Sequence, residues 1–239
     1  MGNRRTFLKG LGVAVGVGVL KPSWVLGLPK QPLPAARSVG VYIGTFGRQH
    51  RVMCAVLASK VTGLRQAVRR TRRKHLASAA LAARVEIQPN QASLGFKRHL
   101  YRRLARLAIG AHRGAEVYEV HLDNAVRWKG SEAALYAQML RVLLESCALG
   151  RFGEISLYAD SRAAGVRRVL TGMTRAEFAT RFRPVRRFDF FPDNARKHDG
   201  VQAATFVAYA LFQKHRGGNS EGYDLLRRHV RNQLDLSGL

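Results

Sequence analysis

The first 85 residues contain no aspartate and no glutamate. Glu86 is the first carboxylate, and sixteen lysines and arginines precede it, so this stretch carries +16. The remaining residues hold 25 bases and all 15 acids, +10, for a total of +26 over 239 residues. Such an imbalance excludes an acidic or charge-neutral surface. It favours a polyanionic partner: DNA, RNA or an anionic membrane surface. The plain alternative is compositional bias, since nearly all of the excess is arginine. Cysteine is scarce. Two cysteines exclude a disulfide-stapled fold. With eight scattered histidines they offer no Cys/His spacing of zinc-site form, so no structural metal is expected. Cys54 lies in an apolar strand-like run and Cys147 late in an apolar helical run, and both read as buried free thiols, with one disulfide as the alternative for an exported chain. No apolar run approaches the roughly 20 residues that span a bilayer as a helix. Helix-turn-helix, zinc-finger and glycine-rich phosphate-loop motifs are absent. What is present, 46% apolar and 23% charged residues, suffices for the core of one domain of ordinary size and excludes a wholly disordered chain.

The opening carries Arg4, Arg5, Phe7, Leu8 and Lys9 after polar Asn3, then a mild apolar stretch from Gly10 to Leu20 that Lys21 and Pro22 end. It resembles a twin-arginine export signal. A clean Ala-x-Ala site is missing, and Pro34-Ala35-Ala36 stands in its place. The resemblance implies an exported or cell-envelope protein handled by the twin-arginine machinery. A chance match in an arginine-rich chain would leave it cytoplasmic. Residues 21–38 hold four prolines and read as a linker. The domain assignment is therefore 1–38, signal-like segment and linker, and 39–239, the folded unit.

Within that unit Val39–Gly47 reads as a strand entering a glycine turn and Arg51–Ser59 as its hairpin partner. Residues 62–84 read as a helix on which Arg65, Arg69 and Arg73 recur every four residues, widened by Arg70, Arg72 and Lys74. Like charges at that spacing repel one another, and an anionic partner relieves the cost. A short strand is expected over 84–87. A second amphipathic helix over 94–109 places Lys97, Arg98, Arg102, Arg103 and Arg106 opposite Leu100, Leu104 and Leu107. Residues 48–113 hold sixteen bases and one acid, which makes this span the expected electrostatic footprint. Further on, strands are expected at 116–122, 154–159 and 186–191. Helices are expected at 131–148, in fragments at 164–180, and at 200–215 and 220–236. The order implies an α/β sheet with packed helices. Asp123 and Asp160 fall at strand ends, where sheet proteins commonly place their chemistry. Each also reads as a turn or capping residue. His198 beside Asp199 invites a general-base role but lacks a placed nucleophile.

Ile155-Ser-Leu-Tyr-Ala-Asp160, followed by Gly200-Val-Gln-Ala-Ala-Thr-Phe-Val-Ala-Tyr-Ala210, resembles the domain-of-unknown-function family DUF3800. That resemblance implies a ribonuclease-H-like mixed sheet with flanking helices over about residues 39–232. The family opens with a strand ending Asp-Glu-Ser-Gly, which falls here on Gly44-Thr45-Phe46-Gly47, so both acids are gone and Gly47 alone is kept. Its mid-chain acid matches Glu86, and its strand-end acids match Asp123 and Asp160. Its closing helix matches Val201–Thr205, with Gln202 kept and the aspartate replaced by Thr205. Nucleases of this type bind divalent cations through clustered carboxylates, and Mg²⁺ wants oxygen ligands in near-octahedral array. Glu86, Asp123, Asp160 and Asp199 are what remains for Mg²⁺ or Mn²⁺ if the protein is an active nuclease. The leading expectation is a scaffold that has lost catalysis, needs no cofactor and binds nucleic acid non-specifically through its arginines. The rivals are a living metal-dependent nuclease and an envelope-associated protein whose basic face meets anionic lipid.

Overall fold

The computed structural model describes residues 38–47, 50–58, 61–76, 87–109, 112–113, 115–123, 128–160, 187–193 and 198–237. The signal-like segment, Glu86 and the expected helical fragments at 164–180 lie outside them, as do residues 77–84 of the expected long helix and all but residue 87 of the strand expected over 84–87.

Strand β1 (Ser38–Phe46) turns into β2 (Arg51–Ala58). The turn needs Gly47, whose φ of +89° is left-handed and whose added Cβ would lie 1.9 Å from the His50 carbonyl oxygen. Helices α1 (Val61–His75) and α2 (Leu94–Leu104) follow. Ser93 caps α2 by accepting from the Phe96 amide at 3.2 Å. A small pair, β3 (Ala108–Ile109) with β4 (His112–Arg113), leads to β5 (Glu116–Leu122). Next come α3 (Glu132–Ser146), β6 (Glu154–Asp160), β7 (Arg187–Asp193), α4 (Asp199–His215), the short α5 (Glu221–Leu226) and β8 (Val230–Asp235).

Six strands form one mixed sheet in the order β7-β6-β1-β2-β5-β8. Only β2 runs against its neighbours; β6 is parallel to β1 and to β7, and β8 is parallel to β5. Period-two alternation sends Val39, Val41, Ile43, Met53, Ala55 and Leu57 to one face, where α3 supplies Leu135, Met139, Leu140 and Leu143. Tyr42, Cys54 and Val56 point to the other face, under Val201, Ala204, Phe206 and Ala208 of α4, flanked by Leu64 and Val68 of α1 and by Leu100 and Leu104 of α2. Both cysteines are free, buried and on opposite faces; burial raises both thiols far above their ordinary range. No described helix is long and apolar enough to cross a membrane.

Two expectations are corrected. The helix at 94–109 ends at Leu104, and residues 108–109 pair with 112–113. The helix expected over 220–236 stops at Leu226, and Val230–Asp235 is an edge strand. Leu226, Val230 and Leu234 are spaced by four, which imitates a helical stripe. In the structure Val230 pairs with Val117 and Asn232 with Tyr118, so Arg231 is a bulge. The bulge reverses the alternation, and Val230 and Leu234 pack on opposite sides of the sheet.

Candidate functional site

Helices α1 and α2 lie against each other and against α4. His75 sits on Phe96 and His99, with ring centroids 6.0 and 5.4 Å away, and at the other end Gly63 faces Leu107. The expected cationic residues divide by which way they face. Arg70, Arg73 and Lys74 on α1, and Arg102 and Arg106 beside them, are exposed and carry no ion pair among the described residues. Arg98 is exposed but bonds Glu221. Lys97 is half-buried, its Nζ 4.7 Å above the Tyr209 ring. Arg103 donates to His99 Nε2 at 2.8 Å. His99 senses the field of the patch: burial first, then Arg103, Lys74, His75 and Arg102, hold its imidazole below the usual histidine range.

Arg72 is placed differently from the exposed position expected for it. Its side chain is 4% exposed and reaches into the first turn of α4, where Nη1 bonds Asp199 Oδ1 at 2.8 Å and Nη2 donates to Gln202 Oε1. Arg69, 63% exposed, holds the other oxygen of Asp199 at 2.8 Å. Arg65 is half-buried, and its Nη2 lies 2.5 Å from His198 Nε2. The other ring nitrogen, Nδ1, lies 3.4 Å from the Val201 amide, so both nitrogens of His198 face groups of the protein itself. His198 occupies the N-cap of α4 and stacks on Tyr158 at 4.5 Å, a structural position without a nucleophile.

Register aligns Tyr42, Tyr158 and Phe191 across β1, β6 and β7. Their rings stack in sequence, 4.9 Å apart at 7° and 4.8 Å apart at 13°. The row begins buried at Tyr42 and ends at Phe191, which is 41% exposed. Through His198 and Arg65 it joins the arginine face of α1. Sequence reading missed this row, whose only trace is an aromatic at the same level of each of three strands.

The acids are dispersed. Asp123 follows β5, half-exposed, 3.0 Å from His50 Nδ1, with its amide donating to Ser237. Asp160 is the last residue of β6, level with Asp193 of β7. Strands β1 and β2 intervene between β6 and β5, about 14 Å across the sheet, and the register sets Asp160 level with Glu119, four residues short of Asp123, so the two positions stand roughly 19 Å apart. Asp199 starts α4 beside the middle of β1, since Gly200 lies over Tyr42 and Ala204 over Gly44. It is set back from the strand ends and saturated by two arginines. At Gly44 a Cβ would fall 2.1 Å from the Ala204 carbonyl carbon and 2.5 Å from the Thr205 nitrogen, so the helix backbone fills the space where the resemblance places an aspartate. Thr205 donates to Val201 O at 3.0 Å, within its own helix. Asp123 and Asp199, the two of the expected acids whose side chains are described, are thus bound to different neighbours, His50 and the pair Arg69 and Arg72, and are not gathered into a paired-metal centre, whose two ions sit about 3.5–4 Å apart.

No described protein family matches the chain, and no curated protein does. Among solved structures it is similar to ribonuclease H2 from Pyrococcus horikoshii OT3 (15% identity, TM-score 0.49, 77% of this chain and 78% of that one). It is also similar to a chain of the PCNA:RNase HII complex from Archaeoglobus fulgidus (10%, 0.48, 79% and 76%). A third likeness is to Bst-RNase HIII in complex with Mn²⁺ (14%, 0.39), of which this chain covers 53%. The fold class rests on the strands themselves: β1, β2 and β5 form an antiparallel unit, and β6 and β7 are added parallel beyond β1. This is the ribonuclease-H-like mixed sheet with flanking helices.

Proposed function

We propose that this protein binds nucleic acid non-specifically, through phosphate contacts from α1 and α2, on a nuclease-like scaffold that has lost catalysis. We read it as a divergent DUF3800-like chain. The observation that supports the reading is that Arg70, Arg73, Lys74, Arg102 and Arg106, on or just after two helices that pack together, are exposed and without acidic partners among the described residues. Cations with no internal carboxylate gain most from an external anion, and arginine forks suit phosphate oxygens. Phosphate contact requires no base-reading geometry. Phe191 adds an exposed ring suited to stacking on an unpaired base.

Anisotropy titrations of labelled oligonucleotides across salt concentration test this. Affinity is expected to fall linearly in a log–log plot. Changing Arg70, Arg73 and Arg102 together to Gln is expected to reduce the slope for duplex DNA by about 2–3, near 0.9 per lost contact. Phe191→Ala is expected to weaken unpaired strands by roughly 5- to 150-fold, the range of about 1–3 kcal/mol for one stacked base, and to leave duplex binding unchanged. A triple variant with wild-type affinity and slope would remove the basis of the proposal.

A further inference from the structure

Sequence spacing offered no metal motif, but the sheet assembles one from distant segments. Glu119 and His121 lie two apart on β5 and share the face under α4. His215 ends α4 above them. Asp235 of β8 is the register partner of His121, and Gln233 that of Glu119. Donor atoms of Glu119, His121 and His215 all fall within 4.8 Å of one another.

The Glu119 side chain is 0% exposed. A buried carboxylate is costly unless paired, and among the described residues no lysine or arginine pairs with it. Its partners are His215 Nε2 at 2.5 Å and the Gln233 amide at 2.5 Å. The nearby ammonium of Lys214 is drawn away, bonding Gln233 Oε1 at 3.0 Å and lying 4.2 Å above the Tyr223 ring. Cys54, opposite Glu119 on β2, donates to Ala204 O at 3.3 Å. The His121 and His215 rings stack at 4.1 Å and 27°. His121 Nε2 lies 3.4 Å from Asp235 Oδ1, and its Nδ1 is buried with no hydrogen-bond partner. Two carboxylates and two imidazoles thus gather at the partly negative end of α4, inside a chain of +26.

We propose that Glu119, His121 and His215 bind one divalent transition-metal ion of the Zn²⁺ class. Asp235 holds His121 Nε2–H and so presents Nδ1 as the ligand nitrogen, the carboxylate–histidine–metal arrangement. Two imidazoles and one carboxylate suit Zn²⁺ rather than Mg²⁺, which prefers oxygen. Ligands at bonds of roughly 2.0–2.1 Å stand about 3.4 Å apart in a tetrahedron, so His215 Nε2 and Glu119 Oε1, now 2.5 Å apart, separate by about 0.9 Å, while ligand atoms as far apart as 4.8 Å draw together by at most about 1.4 Å. His215, 20% exposed at the end of its helix, has room to make that adjustment. The ion clamps the β5–β8 edge to the C-terminus of α4, away from the arginine face, and its presence does not depend on nucleic-acid binding.

The test is a Co²⁺ titration of the untagged full chain after EDTA treatment. One equivalent is expected to give the visible d–d absorption of a low-symmetry nitrogen/oxygen site, to be displaced by one equivalent of Zn²⁺, and to raise the thermal midpoint. His215→Asn is expected to weaken Co²⁺ at least tenfold, and Asp235→Asn by about 10–100-fold as an orienting partner. Asp235 is 58% exposed, so that variant remains a test if changes at His121 or Glu119 prevent folding. A folded wild-type chain with no Co²⁺ band and no Zn²⁺-dependent shift overturns the proposal, as does wild-type affinity in His215→Asn.

Discussion

Gly44→Asp, which restores the acid that the family resemblance places at this position, is expected to prevent folding rather than create a metal ligand. The reason is space. Even the methyl of Gly44→Ala would come 2.1 and 2.2 Å from the carbonyl carbon and oxygen of Ala204, and these are backbone atoms in the middle of a 17-residue helix. Relief requires moving α4 off β1, which separates Tyr42, Cys54 and Val56 from Val201, Phe206 and Ala208. Overpacking usually costs about 1–3 kcal/mol where side chains can yield. Here no side chain is available to yield, so Gly44→Ala is expected at or above about 3 kcal/mol, a fall of roughly 6–12 °C in thermal midpoint for a domain of this size. Gly44→Asp adds an unpaired carboxylate against apolar surroundings and is expected to yield no soluble folded chain. Thermal melting checks both, and a Gly44→Ala protein melting with the wild type would show that β1 and α4 are not in contact here.

Arg72→Ala is expected to cost about 2–3 kcal/mol of stability, because it strips the buried Gln202 oxygen of its donor and leaves Asp199 held by the exposed Arg69 alone. The guanidinium is buried against the first turn of α4. Burial lowers its affinity for a proton, opposed by the neighbouring Asp199 charge and reinforced by Arg69. Arg69→Ala removes a bond to the same carboxylate from a side chain that is 63% exposed, and its expected cost is within about 1 kcal/mol. Replacing both partners, Arg72→Met with Asp199→Asn, is expected to recover part of the loss, since no half-paired carboxylate is then left beside an apolar cavity. Denaturant unfolding of the three proteins separates these cases. A loss at Arg72 as small as that at Arg69 would place Arg72 on the surface with the phosphate-binding set.

Much of the sheet was legible because alternation is a local signal. Val39, Val41 and Ile43 against Tyr42, and Met53, Ala55 and Leu57 against Cys54 and Val56, specify two-sided burial without any knowledge of partners. The expected strands at β1, β2, β5, β6 and β7 lie within a few residues of those observed. Strand β8 was not legible, because one bulge at Arg231 shifts the parity of Val230 and Leu234, and a parity shift reads as helical spacing. The four-residue recurrence on α1 marks a basic helix but does not say which side α4 covers. Arg72 differs from Arg73 only by one 100° step, and that step separates a buried ion pair from an exposed cation. Glu119 was hidden for another reason: its partners His215 and Gln233 lie 96 and 114 residues away, and only the pairing of β5 with β8 and the length of α4 bring them together. The resemblance marked Gly44 as the place of a family aspartate, but the helix backbone packed against Gly44 was not legible.

The most direct measurement is a cleavage assay on bound substrate. Labelled single-stranded DNA, duplex DNA and an RNA–DNA hybrid are incubated with saturating protein in Mg²⁺ or Mn²⁺. The account predicts that they remain bound and intact. Metal-dependent cleavage that disappears in Asp160→Asn would contradict it.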